Sequence, residues 1–455
     1  MENITLAGQA LNGFLDERDN FFTTIDKTFK TKEDRAAHRD SIFIFRYVIT
    51  HYYRLRYLLK PLEGKVDEQD IRYLLIVLAA LFVSKLGKDP KAKEEIKTEA
   101  FERFKDHLDV VKPLLDAEAL PPQVSLNKGE KATKKEMEIY LMTHFNAPMW
   151  VIKILHHFGL SMTFNVLKNY INPPLTTLRV RTSRIKIETL LEKYKGILEE
   201  TEIPNLLLYK GSKSLYTLDE FRNGLLYEIK PVVKHLLDTY TISEPSELLI
   251  YNGNAANKNV LKELLETYGN TVGMNLAVPS THGYEVIKNT IKKNRLTNVN
   301  FFSAKPNAME ASISRPVDLA ICAPDNTFFD LITTNPGYFV NFDTSKIDEI
   351  LKRQEDALEG VSKYVNNKGT LLYFVNTIDK KEGEEQINKF VANHPEFHIV
   401  KMEQLFPCKG DFTVRGNLFY CVMQKDENTA VAADPAIIQA QAPQSESVPL
   451  MQGQK

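Results

Sequence analysis

The stretch Gly369-Thr-Leu-Leu-Tyr-Phe-Val-Asn-Thr-Ile378 reads as a buried strand that delivers a polar residue, Asn376, to its end. Its apolar run is continuous rather than alternating, as a strand covered on both faces requires. Further strand-like runs lie outward from it at 247–251, 271–276, 299–303, 318–322, 398–403 and 417–423. Helical periodicity separates most of them, at 258–268, 284–293, 345–365 and 384–393. Strands alternating with helices predict a doubly wound, mainly parallel α/β sheet. The last two strands have no helix between them, which predicts an antiparallel edge. Ligands of such sheets sit beyond the carboxyl ends of the strands, so Asn376 is expected at a functional rim.

Upstream the pattern changes. Residues 1 to about 170 read as all helical, with apolar residues at helical spacing over 34–59, 67–86 and 100–115. The first of these runs interleaves Arg39, Arg46, Arg54 and Arg56 with Ile42, Phe45, Val48 and Ile49. Asn172-Pro173-Pro174 breaks the helical pattern, because paired prolines favour extended backbone. A strand-like run (175–182), a helix (187–198) and a second apolar run (206–209) then form a small module. The expected organisation is therefore 1–145, 146–240 and 241–425, followed by a tail at 426–455 rich in Ala, Gln, Pro and Ser that is expected to be disordered.

At 455 residues the chain suits two or three domains, and its 43% apolar and 26% charged content is that of a globular protein. A net charge of −1 means that any nucleic-acid face must be local. Cys322, Cys408 and Cys421 form no C-x-x-C pair, so neither a disulfide framework nor a metal site is expected, and a reducing cytoplasm fits. The N-terminus lacks a signal peptide's basic start and apolar core, and the apolar segment 73–84 is too short to span a bilayer. No membrane partner is expected.

The order of parts resembles the bacterial 16S rRNA cytosine-C5 methyltransferases of the Sun/Fmu type. The resemblance rests on Phe45-Arg-Tyr-Val-Ile-Thr-His-Tyr-Tyr-Arg-Leu-Arg-Tyr-Leu58, on Thr143-His-Phe-Asn-Ala-Pro-Met-Trp150 and on Asn172-Pro-Pro-Leu-Thr-Thr-Leu-Arg-Val180, the most specific match. Glu384-Glu-Gln-Ile387 with His394-Pro395, and Gly416-Asn-Leu-Phe-Tyr420, resemble the helix after the catalytic strand and the closing strand. It implies a NusB-like helical RNA-binding bundle, a small RRM-like module and a Rossmann-like methyltransferase sheet with an antiparallel C-terminal edge.

The chemical motifs depart from that family. Cytosine C5 methylation needs a thiolate to attack C6, and the resemblance puts the nucleophile at Asn376 and the second cysteine at Asp325, neither of them a thiol. The family's glycine-rich cofactor turn corresponds to Ile250-Tyr-Asn-Gly-Asn-Ala-Ala-Asn-Lys-Asn259, which leaves Gly253 and Lys258 as remnants. Asn275 stands for the acid that ends the second strand, and Ser303-Ala304 for the acid of the third. No cofactor is therefore expected. The reading is an RNA-binding protein, with rRNA as partner, that has lost methyl transfer. Its alternatives are an active S-adenosylmethionine-dependent methyltransferase with unusual site residues, and a module that docks a ribosomal or transcription protein. Arg46, Arg54, Arg56, Arg179, Arg181 and Arg184 are the candidate RNA contacts, with Tyr209 or Tyr216 as base-stacking platforms. Cys322 is weighed as a relocated nucleophile against the commoner role of a lone cysteine as a small core residue.

Overall fold

In a computed structural model, the described residues are 2–121, 132–171, 176–240, 247–252, 258–268, 272–279, 281–294, 297–327, 329, 335, 337–406 and 417–426. The expected tail beyond 426, the Asn172-Pro-Pro signature and Cys408 lie outside them.

The N-terminal region is helical throughout, but the run expected as one helix over 34–59 is three: Lys32–Ala37, Arg39–Thr50 and Tyr52–Leu58. Thr31 and Asp34 cap the first reciprocally, satisfying backbone donors that a helix start leaves open. The break at His51 is sealed from a distance. Asn146, in left-handed conformation, donates its Nδ2 to Ile49 O (2.9 Å) and accepts from Tyr53 N through Oδ1 (3.1 Å). The apolar helix Glu68–Phe82 runs through the middle of this core, with Leu74 to Leu81 all buried.

The small module has four antiparallel strands: β1 (Thr177–Val180), β2 (Leu198–Glu200), β3 (Leu206–Tyr209) and β4 (Leu226–Glu228), in the order β2-β3-β1-β4. Two were expected. The three-residue strands β2 and β4 are too short to carry a period.

The large sheet contains β5 (Glu247–Asn252), β6 (Gly273–Ala277), β7 (Val299–Phe302), β8 (Val317–Ala323), β9 (Val365–Val375), β10 (Phe397–Leu405) and β11 (Leu418–Lys425). Its order is β10-β11-β9-β8-β5-β6-β7, with β11 antiparallel to both of its neighbours and the pairs from β9 to β7 parallel. The expected mixed sheet and antiparallel edge are both present. Its two faces follow from side-chain alternation. Ile250, Leu276, Ile321, Leu372 and Phe374 face a core shared with Val233, Leu236 and Leu264. Leu249, Ala277, Cys322, Tyr373 and Val375 face the opposite core, with Leu358, Val361 and Ile387. No helix among the described residues is long and apolar enough to cross a membrane.

Candidate functional site

Parallel pairing of β8 with β9 sets Cys322 opposite Tyr373. β8 ends at Ala323 and β9 at Val375, so Asp325 and Asn376 follow the carboxyl ends of two neighbouring strands. Asp325 is held there. Its Oδ2 accepts from Arg353 Nη2 (2.8 Å) and its Oδ1 from Asn326 N (3.1 Å). Asn376 is 8% exposed, and its Oδ1 is buried with no hydrogen-bond partner among the described residues.

Beneath the rim lies a carboxylate that the sequence reading assigned elsewhere. In sequence, the run Glu382-Gly-Glu-Glu385 reads as the acidic first turn of the following helix, which suits the helix dipole. Instead that helix spans Glu384–Asn393, with Glu384 and Glu385 in its first turn, and Glu382 is completely buried. Its Oε2 accepts from Thr327 N and from Gln354 Nε2, both at 2.9 Å, and its Oε1 from Thr377 Oγ1 (2.6 Å) and Thr327 Oγ1. Gln354 Nε2 also reaches Asp325 O (3.0 Å), and Tyr373 donates to Glu382 O (2.8 Å). One side chain thus ties together the segments that follow β8 and β9. Burial raises the Glu382 pKa above the ordinary glutamate value, against the lowering effect of these donors. Gly383 makes the turn possible, since a Cβ there would meet the Phe419 ring at 2.6 Å.

Neither described thiol is chemically available. Cys322 is fully buried in the sheet, and burial alone pushes its thiol far above the ordinary range. Cys421 is buried in β11, its pKa pushed up to about 12 by the same cause. A thiolate is the nucleophilic form, so both are inert packing residues.

Of the three cofactor remnants, only Asn275 has a described side chain. Gly253 lies outside the described residues; Lys258 opens the helix Lys258–Tyr268, and its side chain is likewise outside. The expectation for Asn275 is corrected: it occupies the middle of β6 rather than its end. It donates to Glu247 Oε2 (3.0 Å) and accepts from Asn300 Nδ2 (2.9 Å). The residues that follow β6 are Val278 and Pro279, and those that follow β7 are Ser303 and Ala304. None carries the carboxylate that holds ribose hydroxyls in nucleotide-binding sheets. Among the described residues, the ends of β6 and β7 thus lack the acids that the resemblance implies.

Three of the six arginines expected at RNA are committed to ion pairs within the protein. Arg179, 7% exposed, shares its Nε between both oxygens of Glu263 at 3.1 Å. Arg181 donates to Glu266 Oε2 (2.7 Å). The first bond ties β1, and the second the chain just after it, to the helix Lys258–Tyr268, which corrects the expectation of phosphate contact at these two positions. Arg56 grips Glu68 at 2.6 and 2.7 Å. Arg54 donates to Pro121 O (2.8 Å) but has no ion pair among the described residues. Arg46 and Arg184 are exposed. Tyr209 is buried, its hydroxyl on Lys213 O, whereas Tyr216 stands open.

The helical region covers the rim. Trp150, the one tryptophan of the chain and by its size a natural packing anchor, meets Phe329, Phe339 and Phe342 at ring-centroid distances of 5.2–5.7 Å. Ile378, just beyond Asn376, is buried in the same cluster with Val151 and Leu155. The chain after β8 is also clamped to the N-terminal helices: Asn341 donates to Asp19 O (2.7 Å), and Asp343 pairs with Arg18. Gly337, at φ +74°, is pressed so close that a Cβ would meet Ile49 and Phe14 at 3.0 Å. Gly337→Ala is therefore expected to destabilise the chain by about 2–3 kcal/mol, from backbone strain and overpacking together. An unchanged thermal midpoint would rule out this clamp.

No protein-family model matches the chain, and no curated protein matches it in sequence. In fold it is similar to the crystal structure of PH0851, at TM-score 0.66 and 18% identity, over 93% of this chain and 98% of that one. It is also similar to a methyltransferase homolog protein from Pyrococcus horikoshii (TM-score 0.50, 12% identity, 64% and 99% covered). NSun6 from Pyrococcus horikoshii with SFG gives TM-score 0.51 at 12% identity, covering 62% and 99%. The fold is thus methyltransferase-like.

Proposed function

We propose that this chain is an RNA-binding protein, with rRNA as its target, built on a methyltransferase scaffold that no longer methylates cytosine. The observation that carries the reading is the pair at the ends of β8 and β9. Asp325 is a carboxylate neutralised by Arg353, and Asn376 is an amide that cannot form a covalent adduct with C6. The buried thiols of Cys322 and Cys421, and the missing acids after β6 and β7, support it from independent places in the chain. The RNA part rests on the resemblance to NusB-like and RRM-like parts and on the exposed arginines, and a cytoplasmic location follows from that partner.

Titration calorimetry with S-adenosylmethionine is expected to show no heat of binding, and labelled methyl transfer to cellular RNA is expected to stay at background. Micromolar binding, or transfer lost in Cys322→Ala, would sink the reading. Crosslinking in cells is expected to recover RNA with the chain. In the native chain Cys322 is expected to resist alkylation by iodoacetamide and to become labelled only on unfolding, as mass spectrometry of its peptide would register.

A further inference from the structure

We propose that the outer face of the helix Arg39–Thr50, continued through His51 and Arg54, is a binding surface for single-stranded RNA; this rests on the RNA-binding reading above. The helix turns Ile44, Phe45, Val48 and Ile49 into the core. Arg39, Phe43, Tyr47 and His51 recur every fourth residue and so share another stripe, with Arg46 beside them. Phe43 is 46% exposed, on a helix with ample buried apolar surface of its own. One turn on, the Tyr47 and His51 rings already stack, with centroids 4.1 Å apart and planes at 18°.

The charges on this face are not spent internally. Among the described residues no carboxylate lies within ion-pair distance of Arg39, Arg46 or Arg54, whereas Arg56, two residues further, is neutralised by Glu68 and Glu63. Arg54 also keeps a buried Nε without a hydrogen-bond partner there. Burial lowers the basicity of His51 and His144; at His51 a hydrogen bond to the Tyr47 carbonyl partly opposes it, and at both the Arg54 charge adds to it. Arg54 therefore sits near two stacked pairs, Tyr47–His51 and Tyr140–His144, the latter with centroids 5.0 Å apart. Arginines spaced about 10 Å along a helix with an open aromatic ring between them suit a strand whose phosphates and unpaired bases are both within reach. A duplex offers phosphates but hides its base faces, so the aromatic part of the stripe selects the single strand.

Fluorescence anisotropy on the full chain tests this with a short unstructured RNA and the same RNA annealed to its complement. The single strand is expected to bind more tightly. Phe43→Ala, at a solvent-facing position, is expected to leave the melting midpoint unchanged and weaken single-strand binding about tenfold. Arg39→Ala and Arg46→Ala are each expected to reduce the slope of log affinity against log salt by about 0.7. Tighter binding of the duplex, or wild-type affinity in all three variants, overturns the proposal. If Arg184→Ala weakens binding and these variants do not, the RNA reading survives on another surface. If the unaltered chain binds neither RNA, the RNA reading itself fails.

Discussion

Replacing Glu263 with alanine is expected to lower the stability of the folded chain by about 3–5 kcal/mol, read from the midpoint of urea unfolding. Glu263, on the helix Lys258–Tyr268, is almost wholly buried, and so are the cations around it. Arg179 reaches it from β1 at 3.1 Å and Lys234 from the helix Pro231–Tyr240 at 3.3 Å. Tyr227 on β4 donates to the same carboxylate at 2.6 Å. Removing the carboxylate leaves Arg179 buried without its counter-ion and strands the tyrosine hydroxyl, while Lys234 keeps Asp238 at 2.6 Å. The large cost is the penalty for those uncompensated groups rather than the net worth of the ion pair, which desolvation largely offsets. Glu263→Gln keeps the shape and an acceptor, so its expected loss is smaller, about 2 kcal/mol. A change below about 1 kcal/mol for Glu263→Ala would mean that the small module is not pinned to the large sheet through this residue.

The same residues explain how far the sequence could be read. The sheet was legible because burial on both faces gives each strand a continuous apolar run, and because the helices between them keep a clear period. The expected helix ranges 258–268 and 384–393 coincide with those observed. Side-chain roles were legible only where they are local. Arg179 announces a cation on a strand, but its partner lies 84 residues further on, and no local pattern connects them. Asn275 was placed by counting along a motif, whereas its role is set by register, which puts it opposite Leu249 in mid-strand. Trp150 was recognisable as an anchor because a lone large aromatic in a helical run has few other uses. The break at His51 was not, because it is sealed by Asn146, 97 residues from Ile49.

Glu382 is the extreme case of that non-local dependence. Among neighbouring acids it looks solvent-facing; in the fold it accepts from Thr327, Gln354 and Thr377 in complete burial. Glu382→Ala is expected to cost about 3–4 kcal/mol, because the backbone N–H of Thr327 and the Gln354 amide would lose their acceptor in a dry site. Glu382→Gln, which fills the same volume and can accept through its carbonyl, is expected to cost about 1 kcal/mol at neutral pH. The pH dependence has a definite sign. Burial raises the folded-state pKa above the ordinary glutamate value, so the folded chain holds this proton more tightly than the unfolded one. The corresponding stability is fully present below the ordinary glutamate pKa and is lost as pH rises through the raised folded value. Asp379, also raised by burial, adds a contribution of the same sign, but it is common to both chains. The advantage of the native chain over Glu382→Gln should therefore shrink as pH increases across that window, measured by urea unfolding at a series of pH values. An advantage that grows with pH would mean that the four donors outweigh burial and hold Glu382 as a low-pKa carboxylate. The rim would then carry a permanent negative charge bonded to Thr377, the residue after Asn376, which disfavours a phosphate or a developing oxyanion there.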